Sequence, residues 1–171
     1  MKKIDKMTPE EVRALIRKGE WQKPTSGLAM GYAQANLVVL PKKYAFDFLL
    51  FCQRNPKPCP LLEVLEAGKY ITETLAAGAD ITTDIPLYNV YKKGKLESTI
   101  QNIKDIWQDD FITFLLGCSY SFEEALLKVK VPVRHIEEKK NVSMYLTNIA
   151  CMQAGTFKGP LVVSMRPIPE N

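Results

Sequence analysis

The pattern of apolar and polar positions opens with a helix. Thr8-Pro9-Glu10-Glu11 has the form of a capping box with proline at the first helical position. Val12, Leu15 and Ile16 then fall on one face, and Gly19 is a natural stop. A loop from Trp21 to Gly31 follows, punctuated by Pro24, Gly27 and Gly31. Asn36 to Leu40 (NLVVL) is short and rich in β-branched residues and reads as a buried strand ended by Pro41. Tyr44 to Cys52 (YAFDFLLFC) reads as a helix apolar almost all round, which predicts burial. The residues expected inside are Leu37, Val38, Val39, Phe46, Leu49, Leu50 and Phe51.

Three prolines make residues 53–60 a loop. Pro60 is expected to start a short helix, PLLEVLEAG, ended by Gly68. Tyr88 to Tyr91 and the stretch beyond Gly94 form a hairpin around Lys92-Lys93-Gly94. Phe111 to Leu116 suits a strand or a helix capped by Asp110, and so short a run leaves both open. Ser121-Phe122-Glu123-Glu124 has the form of a second capping box, opening a helix through Leu127. Val133–Ile136, Met144–Ile149 and Leu161–Met165 read as strands. Helices early and strands late suggest an α/β lobe over 1–115 and a smaller α+β lobe over 116–171.

Composition narrows the function classes. The 171 residues are 46% hydrophobic and 25% charged, ordinary usage for a globular chain. The formal net charge is +4. The lysine pairs at 2–3, 42–43, 92–93 and 139–140 fall at element ends without interleaved aromatics. They form no nucleic-acid footprint. No run approaches the roughly 18–20 apolar residues of a membrane span. The start, MKKIDKMTPEE, lacks the apolar core of a signal peptide, so a cytoplasmic location is expected. The four cysteines, Cys52, Cys59, Cys118 and Cys151, form no CxxC pair and are expected as free thiols. A three-cysteine iron–sulfur site would need Cys118 or Cys151 brought by the fold to Cys52 and Cys59.

Candidate chemistry lies in the last third. Gly117-Cys118-Ser119-Tyr120-Ser121 precedes a helix start, where free N–H groups favour an anion. His135 is the only histidine, so an imidazole proton transfer within this chain must use it. On a strand, Arg134 and His135 would point to opposite faces. Tyr145 and Thr147 would share one face of their strand, with Asn148 on the other. Ser164 and Arg166 would share a face, and arginine suits a two-point carboxylate grip.

Six blocks carry a resemblance: PTSGLAMGYAQANLVVLP, FLLFCQRNPKPCPLLEV, GADITTDIPLYNVYKKG, DDFITFLLGCSYSFEEAL, VPVRHIE and NVSMYLTNIACMQAGTFKGPLVVSMRP. In order and spacing they are similar to the hydro-lyase, or D-glutamate cyclase-like, family, from about Met7 onward. The resemblance implies an α/β fold, with a three-layer αβα lobe and a smaller two-layer α+β lobe. It implies a carbon–oxygen lyase acting on a small carboxylate or amino acid, with D-glutamate converted to 5-oxo-D-proline and water as the specific case. Members of the family continue past the SMRP block, which implies a further C-terminal segment beyond Asn171. His135 and Cys118 are then the candidates for catalysis. Ser119, Ser121, Arg134, Tyr145, Thr147, Asn148 and Arg166 are the candidates for substrate binding. No metal or organic cofactor is called for, and a homo-oligomer is compatible with the apolar 44–52 helix. The alternative is a non-catalytic small-molecule binding protein on the same scaffold.

Overall fold

A computed structural model describes residues 6–170. Helix α1 spans Pro9–Arg17, and its capping box forms as the sequence predicts. The Thr8 hydroxyl accepts from the Glu11 N–H, and the Glu11 carboxylate accepts from the Thr8 N–H. Val12 and Ile16 of α1 pack with Leu28 into a small cluster covered by Trp21 and Met7. The polar face is anchored as well. Arg13 and Arg17 both reach the buried Asp84 carboxylate, at 3.5 and 3.2 Å.

The main sheet has the order β1-β5-β2 and is antiparallel throughout. Strand β1 is Ala35–Pro41, β2 is Leu61–Leu65 and β5 is Phe111–Gly117. The ambiguous FITFLL run is therefore a strand, and it is the central one. Thr113, Phe114, Leu115 and Leu116 are all buried, because both faces and both edges of β5 are covered. A central strand of this kind reads as a continuous apolar run without alternation.

Strand β2 corrects the helix expected from Pro60. Its five residues pair with β5 across a bulge between Leu61 and Glu63. So short a segment gains more from the open hydrogen-bonding edge of β5 than from one turn of helix. Glu63 then ties down the following loop, its carboxylate accepting the N–H groups of Glu73, Thr74 and Leu75 at 2.7–3.0 Å. Gly68 sits at φ +77°, and a Cβ there would lie 3.1 Å from the Asp109 carbonyl.

Helix α2 spans Lys42–Arg54 and packs on the sheet by one face only. Ala45, Phe48 and Cys52 are buried against Phe114 and Leu116. Phe48 meets Phe114 and Phe157 edge-on at ring separations of 4.9 and 5.1 Å. The expectation of burial all round is corrected: Phe46 is 73% exposed and Leu49 39%. Leu37, Val38, Val39, Leu50 and Phe51 are half-buried. A helix over one three-stranded sheet has one covered face, whatever the composition of the other.

Strands β3 (Tyr88–Lys92) and β4 (Lys95–Ile100) form the expected hairpin. Lys93 and Gly94 at its tip both take positive φ, as the twist of a two-residue turn requires. Two short helices follow β5: α3 over Glu123–Lys128 and α4 over Arg134–Glu137. The chain ends in a second antiparallel hairpin, β6 (Ser143–Ala150) with β7 (Pro160–Met165). Met144, Leu146, Ile149 and Val162 on it are more than half exposed. The architecture thus mixes helices and strands, as an α/β class requires. Among the described residues, no helix is long and apolar enough to cross a membrane.

One side chain fastens this hairpin to α2. Asn55 donates to the Met152 carbonyl (2.9 Å) and accepts from the Met152 N–H (2.8 Å), acting as one more rung of backbone. Beside it, Gly155 lies so close to α2 that a Cβ would come within 1.9 Å of the Asp47 carboxylate. Asn55→Ala leaves a half-buried donor and acceptor unpaired. It is expected to lower stability by about 1–3 kcal/mol. Urea unfolding checks this: the midpoint should fall with the slope unchanged.

Candidate active site

The site is built where β5 ends. The Gly117 N–H donates to the Pro60 carbonyl and the Cys118 N–H to the Gln34 carbonyl. Residues Ser119–Phe122 then make one tight 3-10 turn before α3 begins at Glu123. This corrects the second capping box. The Ser121 hydroxyl accepts from the Gln34 N–H (2.8 Å) and donates back to the Gln34 carbonyl. Phe122 stands at the N-cap of α3, with no side-chain capping bond. Gln34 precedes β1, and its backbone groups are satisfied by Ser121 across the fold, a demand that no local pattern announces.

Because α3 starts later, Glu123 is its first residue, and it turns inward. It is 2% exposed. Its Oε1 accepts from Arg166 Nε (3.0 Å) and from Arg166 Nη2. The rest of the guanidinium is engaged too. Nη1 donates to Ser164 Oγ (2.7 Å), Nη2 to Ser119 Oγ (3.1 Å), and the group lies 4.7 Å over the Phe122 ring. Ser164 Oγ also donates to Ser119 Oγ. The carboxylate that Arg166 grips in this structure is therefore one of the chain's own.

His135 approaches the same carboxylate. Helix α4 replaces the strand expected over 133–136. Val133 is buried at its N-cap, and the Lys140 N–H closes the end on the His135 carbonyl. Four residues are too few for periodicity to separate one helical turn from a strand. The consequence is that Arg134 and His135 are not on opposite faces of a sheet. Arg134 projects outward and pairs with Glu138 one turn on, at 2.9 Å. His135 is 9% exposed, and its Nε2 stands 3.1 Å from Glu123 Oε1. That approach lies off the axis of a straight hydrogen bond, so Nε2 is buried with a close carboxylate and no aligned acceptor.

A cleft of about 300 Å³ opens beside this cluster. Arg134, His135, Lys140, Asn141, Ser143 and Tyr145 line it. Glu138 sits between Arg134 and Lys140, 2.9 and 3.1 Å from each, so the rim carries two cations for one anion. Tyr120 reaches the cleft wall by donating its hydroxyl to Asn141 Oδ1. Burial pushes the Tyr120 phenol up, with Cys118 and Glu123 adding to the shift.

The sequence candidates thus divide. His135 and Arg166 meet at the Glu123 carboxylate, and Ser119 joins them through Arg166. Arg134 and Tyr145 join His135 along the cleft. Ser121 is committed to Gln34. The Thr147 hydroxyl donates to the Leu161 carbonyl within the hairpin, and Asn148 is exposed outside the cleft. Cys118 is half-buried next to Tyr120. Glu123, Lys140, Asn141 and Ser143 were not foreseen. In the sequence Glu123 figured only as part of the expected capping box, and its partners lie 12 and 43 positions away. The four thiols are free. Burial pushes the Cys52 thiol up to about 11, with Cys59 adding to it. Among the described residues, no three His, Cys, Asp or Glu side chains gather as a metal site.

The family model for D-glutamate cyclase matches residues 112–171. A protein of Bacillus licheniformis named "Putative hydro-lyase" is 58% identical over 168 residues, 98% of this chain and 64% of its own length. One of Thermoanaerobacter sp. with the same form of name is 58% identical over 167 residues, 98% of this chain and 63% of its own. A third, from Bacillus subtilis, is 58% identical over 165 residues, 96% and 64%. The chain therefore spans a little under two thirds of the length of these relatives.

The buried Arg166–Glu123 pair sets a stability test. Glu123→Ala strands the guanidinium in a dry site and is expected to cost about 3–5 kcal/mol. The joint replacement Glu123→Leu with Arg166→Met removes both charges at similar volume and should restore most of that loss. Urea midpoints of the parent, single and double variants check both statements.

Proposed function

We propose that the chain is a member of the D-glutamate cyclase family and, on that premise, a hydro-lyase acting on a small carboxylate or amino acid at the cleft beside His135. The specific case is closure of D-glutamate to 5-oxo-D-proline. The α-amine attacks the γ-carboxyl carbon, a C–N bond forms, a C–O bond breaks, and one water leaves. The step requires a proton delivered to the departing oxygen and one removed from the amine. A single imidazole can exchange both, taking the amine proton and returning one to the oxygen. The layering that accompanies this reading is a three-layer αβα lobe with a smaller two-layer α+β lobe.

One observation carries the reading. The only histidine of the chain lines a small cleft and is backed by a buried carboxylate. A base held by a third group is the arrangement that proton transfer needs. The surplus of cations at the rim favours a carboxylate, with Arg134 able to grip it at two points. Arg166 supports the site from behind rather than from within the cleft. Tyr145, Asn141 and Ser143 supply donors and acceptors for the rest of a polar substrate.

Turnover is tested by following conversion of D-glutamate to 5-oxo-D-proline, with L-glutamate as the control. His135→Gln should lower kcat about 100-fold or more with little change in KM. Arg134→Ala should chiefly raise KM, and added salt should shrink that difference, because the rim is exposed. A His135→Gln protein with the parent kcat would end the proton-transfer role. Binding of D-glutamate without any turnover would favour a non-catalytic binding protein.

A further inference from the structure

We propose that Glu123 is a positioning residue that keeps the imidazole proton of His135 on Nε2, leaving Nδ1 as the nitrogen that accepts a proton from a molecule in the cleft. The argument starts from the two ring nitrogens being inequivalent. Nε2, and not Nδ1, is sealed from solvent without an aligned hydrogen bond. Its nearest charged neighbour is Glu123 Oε1, at 3.1 Å. That oxygen already takes two N–H groups of Arg166, a pairing that suits a carboxylate. A carboxylate oxygen is an acceptor only.

If Nε2 were bare, its lone pair would face the lone pairs of Oε1 at 3.1 Å, too close for a water to stand between them. If Nε2 carries the proton, the same contact is attractive, although it is not straight. The difference is greatest where the surroundings are least polarisable, and both side chains are nine-tenths buried or more. The neighbour on one nitrogen thereby sets the chemistry of the other. The other charged groups lining the cleft, and Arg166 behind it, do not compete. Arg134, Glu138 and Lys140 pair with one another at the rim, and Arg166 is turned to Glu123, Ser119 and Ser164.

In this arrangement Arg166 acts at second hand. It holds Glu123, Glu123 holds the ring, and the ring works on the cleft. The consequence for catalysis rests on the reading of His135 as the proton carrier, but the position of the proton does not. It can be measured in the protein alone.

The chain has one histidine, so one set of ring signals appears in a ¹⁵N-labelled sample. The measurement is made near pH ~8.5, about two units above the ordinary imidazole pKa. The two ring nitrogen shifts then report the tautomer. The parent protein should show the Nε2–H form alone. In Glu123→Leu with Arg166→Met, the ratio of Nε2–H to Nδ1–H should fall about tenfold, and Glu123→Asp should keep the parent tautomer. A parent protein with Nδ1–H dominant, or with both forms mixed, overturns the proposal. So does a folded double variant with an unchanged ratio. If the double variant fails to fold, the parent spectrum decides. Absence of turnover with every substrate tried would count against the proposed function and leave this result standing.

Discussion

A buried carboxylate must be satisfied by the protein, and Glu123 is hydrogen-bonded by Arg166 and closely approached by His135, both from distant parts of the chain. Arg166 comes from just beyond β7 and His135 from α4, so one buried group ties together three segments that share no backbone ladder. The pairing sets where α3 begins and which way α4 faces. It also sets the depth at which the end of β7 sits against the 3-10 turn. Ser119 and Ser164 complete the shell around the guanidinium, so the cation is left with acceptors on several sides. An interaction of this kind contributes little net stability against an apolar substitute, but it is costly to break from one side. Its value is in fixing geometry.

The rest of the fold supplies the platform. Strand β5 is held on both edges, and α2 lies on it through Phe48. Phe157 extends that aromatic contact to the turn between β6 and β7. Asn55 and the close approach at Gly155 lock the same turn from the other side. The hairpin carrying Tyr145, Ser164 and the approach to Arg166 is thus registered against the main sheet at its tip and against Glu123 at its base. Two such anchor points hold the side chains around Glu123 in a fixed arrangement.

This arrangement also separates the charges around His135. The cleft presents two cations, amide and hydroxyl groups, one imidazole and the Glu138 carboxylate at its rim, while the Glu123 carboxylate stands behind the imidazole. The separation of the rim charges from the buried Glu123 carboxylate is a consequence of α4 being a helix. One turn places Arg134 outward and His135 inward from adjacent positions.

Much of the fold was legible in the sequence where the signal is local. The α1 capping box, the NLVVL strand, the Lys92-Lys93-Gly94 turn and the strands of the last hairpin depend on caps, φ-permissive residues and side-chain alternation. Each acts within a few positions. Composition and the single histidine were enough to direct attention to residues 117–166. The tertiary structure decided what depends on partners far along the chain. LLEVL became a strand because β5 offered an edge. VRHI became a helical turn because Val133 found a core. Phe46 and Leu49 lie on the outer face because one sheet covers one side of a helix. Ser121 left its capping role for the backbone of Gln34. Glu123, the group on which the site turns, carries no local mark at all. An acid at the start of a helix is solvated or buried according to whether an arginine 43 positions later is delivered to it. That delivery is a property of the whole fold, and short-range patterns of residues do not encode it.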